Sequence, residues 1–217
     1  MVKIPIHFNL LDTMSLNSYL KDLSRAANVM LRPGSSTRRM MDLEEGFSFY
    51  YKVSIVPIVL FAFFLLIFGS GMAAFFETVS FVSFFWIVVP LYIIIQSAII
   101  HFVCNFALKE FKRGYYETMA ASIYGAVVFM LFSCLMAIPA FGPFAFLIAL
   151  LWGFFTFIVA LSNLQKVSRL SALIAVVITY VFESVITMVI MMMLTFGLFA
   201  MFSNMLGLMH GITSLKI

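Results

Sequence analysis

From Val53 onward the chain runs in long apolar stretches, separated by short connections that are either polar or built from glycine and proline. Stretches that approach or exceed the roughly 20 residues needed to cross a bilayer read as membrane spans. The first begins near Val53, with Lys52 anchoring it, and runs past Phe68. Gly69-Ser70-Gly71 either ends it or kinks it before Phe76. The second, Val79–Leu108, is longer than a bilayer needs, so it must tilt, protrude or bend, and Pro90 is the expected bend. The third runs Thr118–Ala137. Ile138 to Pro143 then forms a tight turn, because proline removes a donor and glycine ends a helix. The fourth span, Phe144–Leu164, therefore forms a close hairpin with the third. The fifth begins near Leu170 and continues at least to Leu194. Residues 195–217 fit three readings: an extension of the fifth span, a segment flat in the outer interface, or a returning sixth span. The fold expected is all-α, a polytopic membrane helix bundle of five transmembrane helices preceded by a cytoplasmic amphipathic helix.

That preceding helix has its own pattern. Leu16, Tyr19, Leu20, Leu23, Ala26, Ala27, Met30 and Leu31 follow helical spacing, and Asn17, Ser18, Lys21, Asp22, Arg25 and Asn28 fill the other face. Ser15 caps its start and Pro33-Gly34 ends it. It suits the cytoplasmic leaflet surface, with packing on the protein's own loops as the alternative. A second short helix, Ser36–Glu45, is expected to lead into the first span. The chain thus divides into a cytoplasmic segment, 1–52, and a transmembrane domain, 53–217.

Composition excludes a soluble fold: 64% of residues are hydrophobic and 10% charged, against about 25% charged in soluble domains. The charges that remain set an orientation. Of 13 Lys and Arg, all but Lys216 fall in three clusters, before Val53, at Lys109–Arg113 and at Lys166–Arg169. The connections Gly69–Val79 and Ile138–Pro143 carry none. The positive-inside rule puts the basic connections in the cytoplasm. The N-terminus is then inside, the C-terminus outside, and the location a cell (cytoplasmic) membrane. The net charge of +4 sits beside spans, where anionic headgroups are the natural partner. Membrane lipids are the expected partners, and nucleic acid is not. Met1–Asn28 has no apolar core of a signal peptide, so the first span must direct insertion.

Candidate chemistry is sparse. Glu183 lies about 13 residues into the fifth span, roughly 20 Å deep, where an acid must face the bundle, be protonated or hold a partner. Gln96 reaches a similar depth on the second span, and His101 is shallower and level with Tyr124 of the third span. A buried polar cluster of Gln96, His101, Tyr124, Tyr180 and Glu183 follows, serving either as a substrate or proton site or as interhelical hydrogen bonding. The three histidines, at 7, 101 and 210, lack metalloprotease spacing. No phosphate-binding loop occurs, and no cofactor, metal or catalytic residue is expected. Cys104 and Cys134 fall at depths roughly 20 Å apart, too far to bond. Met188, Met191, Met192 and Met193 read as soft apolar filling. Ala121 and Gly125, then Ala145, Ala149 and Gly153, then Ser171 and Ala175, repeat at the spacing that lets helix backbones approach. These faces serve packing within the chain, or a protein partner or second copy.

Arg113-Gly-Tyr-Tyr-Glu-Thr-Met-Ala-Ala-Ser-Ile-Tyr-Gly (113–125) resembles the entry to the third span of the Yip family of Ypt/Rab-interacting membrane proteins. So do Ala137 to Gly142, the Trp152-bearing fourth span, the stretch Leu161–Leu173, and Met30-Leu-Arg-Pro before the first span. The resemblance covers roughly Met30–Met193. It implies five spans and a cytoplasmic N-terminus. Eukaryotic members act in vesicle trafficking and bind small GTPases. This chain lacks the Asp-Leu-Tyr-Gly-Pro type of stretch associated with that branch and is more similar to the prokaryotic one. The resemblance supplies no catalytic residues. The role expected is a non-enzymatic membrane-organising or accessory subunit; the alternative is a small transporter or lipid-handling protein using the Glu183 cluster.

Overall fold

The computed structural model describes residues 16–38, 41–69, 71–108 and 113–185, with 188 and 192. Ser15, Lys109, Lys112, Leu194 and the ambiguous tract 195–217 lie outside them. The described residues form helices and no strands: α1 (Leu16–Leu31), the single turn α2 (Pro33–Ser36), α3 (Leu43–Phe68), α4 (Gly71–Ser83), α5 (Val89–Val103), α6 (Tyr115–Ser133), α7 (Gly142–Gln165) and α8 (169–185). The α4 and α5 helices join through a π-helical turn, Phe84–Val88, and a second π turn, Cys104–Leu108, follows α5. Among the described residues, four helices are long and apolar enough to cross a membrane: Leu43–Phe68, Gly71–Phe106, Tyr115–Ala137 and Gly142–Gln165. They mark the chain as an integral membrane protein. The described part of α8 is shorter than these spans. The chain forms two compact units that divide between Ala175 and Val176.

Three boundaries differ from the expected ones. Among the described residues no separate helix spans Ser36–Glu45; instead α3 starts ten residues before Val53, where Asp42 accepts the Glu45 N–H at 2.7 Å and caps it. Glu44 and Glu45 in the first turn favour its positive dipole end. The α3 helix then runs unbroken through Lys52 and Pro57. The connection expected over Gly69–Val79 is mostly helix, because Gly71 takes a left-handed φ of 49° and lets α4 begin at once. Glu77 is consequently part of a helix, on its exposed side.

The Pro90 bend is built as a π turn with a repair from α3. The Val89 N–H bonds Phe84 O, and Pro90 has no N–H, so Phe85 O loses its helical donors. The Tyr50 hydroxyl supplies one, at 2.7 Å, and Tyr51 donates to Trp86 O at 3.3 Å. Tyr50 is fully buried. Tyr50→Phe is expected to cost about 1–2 kcal/mol by leaving Phe85 O unsatisfied in an apolar surround. Thermal unfolding in detergent measures this, and an unchanged midpoint would show that the carbonyl finds another donor.

The core of the first unit is α6. Of its most apolar stretch 67% is buried, against 28% for Leu43–Phe68, so α6 is the most covered of these helices and α3 keeps an exposed apolar flank. The most extensive helix pairing is α6 with α7. Ala120, Ala121, Ala145 and Ala149 are fully buried between helices, and Gly125 lies against Gly153. A Cβ on Gly125 would sit 3.1 Å from Gly153 O, and one on Gly153 3.1 Å from Gly125 O. The small-residue faces of these two helices therefore pack within the chain. The hairpin turn ends α6 in a 3₁₀ turn, Cys134–Ala137, and Ala140 takes a φ of 63° before α7 starts. Cys104 and Cys134 are buried and not bonded to each other.

Candidate functional site

The polar chemistry of the first unit concentrates at the end of the bundle where α1 docks. Three edges of α1 meet different surroundings. Ala26 and Val29 are buried, Leu16, Leu20, Ala27 and Leu31 form an exposed apolar edge, and Asn17, Lys21, Ser24 and Asn28 form an exposed polar one. The buried side is fixed by charges. The Arg25 guanidinium donates from Nη1 to Glu45 Oε1 at 3.1 Å and from Nη2 to the Tyr124 hydroxyl at 2.6 Å. It also lies over the Phe49 and Tyr124 rings, 5.0 and 5.6 Å from their centroids. One arginine thus ties α1 to both α3 and α6. Lys52 Nζ donates to Asp22 Oδ2 and to Ser18 Oγ, each at 3.2 Å. Partial burial raises the Tyr19 phenol pKa above its ordinary value. Between α1 and α3, Ser18, Asp22, Arg25, Glu45 and Lys52 help to line an open cavity of ≈ 550 Å³.

The segment after α1 is tied to the end of α7. The Trp152 indole donates to Met30 O at 2.8 Å, and the Asn163 amide to Gly34 O at 3.1 Å and Thr37 Oγ1 at 3.0 Å. Buried Gln165 donates to Gly114 O and Thr118 Oγ1, both at 3.0 Å, and accepts the Arg113 N–H at 3.2 Å. Lys166 ends α7 in the left-handed conformation. Arg25, Lys52, Arg113 and Lys166, members of all three basic clusters, therefore share one end of the first unit.

A ladder of polar contacts links α5 to α6. The Ser97 hydroxyl donates to Ser122 Oγ at 2.9 Å, and His101 Nδ1 lies 3.4 Å from Thr118 Oγ1. Of the expected cluster, Gln96 is buried on α5, His101 is half-buried beside Thr118, and Tyr124 is buried and engaged by Arg25. His101 stands opposite Thr118, about 9 Å along the helix from the level of Tyr124. Tyr180 and Glu183 belong to the second unit, where the Ser184 hydroxyl donates to Tyr180 O at 2.7 Å. Among the described residues, no three His, Cys, Asp or Glu side chains gather to hold a metal ion.

The sequence marks the docking charges as a site only weakly. Their one sequence signal is complementary spacing: Asp22 and Arg25 stand a turn apart on α1, and Glu45 and Lys52 two turns apart on α3. Chemically the arrangement is a set of mutually neutralising contacts that position helices. A family model described as Yip1 domain matches residues 27–191, from within α1 to beyond the described end of α8. The match is to the domain as a whole and does not assign the chain to a prokaryotic branch. No curated protein and no solved structure matches the chain.

Proposed function

This chain belongs to the Yip1 domain family, and from that premise we propose that it is a non-enzymatic membrane-organising or accessory subunit acting through helix contacts in the bilayer. The observation that carries this reading is how polar groups of the first unit are used. Arg25 bonds Glu45 and Tyr124, Gln165 bonds Thr118, and both sets position helices. Large apolar side chains such as Leu91, Ile95, Leu147 and Leu151 remain exposed on α5 and α7, available to lipid or to a partner's spans. A photoreactive residue placed singly at those four positions in native membranes tests it. A discrete protein adduct from one face only is expected. Equal lipid adducts from all four and no protein adduct would remove the accessory role.

The orientation follows from the shared basic end, which we assign to the cytoplasm, with the membrane being the cell membrane. We count α8 as a fifth span continuing past its described residues, and place the entry into the bilayer at Lys52 and Val53, within α3. The protein, apolar and polar edges of α1 suit a helix at the interface, docked on the bundle, with lipid below and water above. A cysteine at Ser214 labelled from outside supports five spans; protection there means six.

Glu183 remains the residue on which a transporter reading would turn. We propose that it serves as a structural hydrogen-bonding group rather than as a transport site. Glu183→Gln is then expected to leave stability unchanged, whereas Glu183→Leu costs about 1–2 kcal/mol. Thermal unfolding of the two variants measures this. Loss of a proton or solute flux in liposomes with Glu183→Gln, the fold intact, would favour transport instead.

A further inference from the structure

We propose that the cavity between α1 and α3 binds the phosphate of an anionic phospholipid headgroup. Among its lining side chains Lys21, Arg25 and Lys52 face Asp22 and Glu45, an excess of one positive charge. Arg25 and Lys52 are held by those carboxylates. Lys21 is exposed and makes no ion pair among the described residues, so the excess charge resides on it. Ser18 and Ser48 add hydroxyls to the wall. A single phosphate diester complements this balance, and a cation does not.

The position of the cavity selects a lipid over a free anion. Ser48 and Lys52 line it immediately before the apolar run from Val53. The same face of α3 continues as Ile55 and Val59, 39% and 60% exposed, in steps of four, three and four residues that keep one side of a helix. A headgroup at Lys21 and Lys52 thus has an open apolar strip below it for an acyl chain. The proposal does not depend on the accessory role or on which side of the membrane α1 occupies.

Native mass spectrometry of the full chain, released from a neutral detergent with phosphatidylglycerol and phosphatidylcholine of identical acyl chains, tests it. Phosphatidylglycerol is expected to be retained about tenfold better. Lys21→Glu should abolish the preference, and Lys21→Gln should lower it partway. Lys166→Glu, at the same end of the bundle but off the cavity, should leave it intact. Unaltered helicity by circular dichroism confirms that the variants fold. Equal retention of the two lipids would overturn the proposal. So would a loss with Lys166→Glu as large as with Lys21→Glu, which would mean diffuse surface charge. Displacement of the lipid by millimolar inorganic phosphate would assign the site to a free anion and overturn the headgroup.

Discussion

Gly125→Leu is expected to break the α6–α7 pair and abolish the folded first unit. A Cβ at Gly125 would stand 2.8 Å from the Phe157 Cβ and 3.1 Å from Gly153 O. Neither atom is the free end of a flexible side chain, so the helices themselves must separate. Alanine alone should cost about 1–3 kcal/mol. Leucine adds three carbons where none fits, at the centre of the most extensive helix contact. Leu147→Ala, on the exposed face of α7, serves as the control and is expected to stay within about 0.5 kcal/mol. Thermal unfolding in detergent and gel-filtration recovery measure both. A Gly125→Leu protein that elutes as a single species with an unchanged midpoint would show that the backbones do not approach there.

Arg25→Leu is expected to release α1 from the bundle while the α6–α7 hairpin stays folded. The guanidinium is 17% exposed at its side chain, and its bonds to Glu45 and Tyr124 join three helices. Loss of these charge-assisted bonds and of the ring contacts should cost about 2–3 kcal/mol. Arg25→Lys keeps the charge but loses the planar fork, so it should restore only part of the docking. Asp22→Asn should be milder, since Lys52 keeps its bond to Ser18. Hydrogen exchange of Leu16–Leu31 reads the docking directly. Unchanged protection of α1 in Arg25→Leu would mean that Ala26 and Val29 hold it without the charges.

Helix periodicity carried the all-helical class and the four long apolar helices from sequence. The α6–α7 hairpin was legible because Pro139, Gly142 and Pro143 allow little but a turn there. Its packing face was legible because Gly125 and Gly153 have no other reason to recur among large apolar residues. The early start of α4 was not: Gly69 and Gly71 mark a break, but nothing local says that a left-handed Gly71 restarts a helix within one residue. The docking of α1 was illegible for a different reason. Arg25 reaches Glu45 and Tyr124 across 20 and 99 residues, and only tertiary structure chooses among the carboxylates and phenols available. Tyr50 is similar, since its donor role exists only because Pro90 and the π turn strand a carbonyl on another helix.

Single-cysteine labelling in sealed cells, with Cys104 and Cys134 replaced, tests the membrane placement most directly. Pro139, in the turn between α6 and α7, and Ser168, after α7, are both exposed and lie at opposite ends of α7. A membrane-impermeant maleimide should label Pro139→Cys from outside and reach Ser168→Cys only after the membrane is opened. Labelling of Ser168→Cys in intact cells, with Pro139→Cys protected, would invert the orientation. Labelling of both in intact cells would mean that the α7 helix does not span the bilayer.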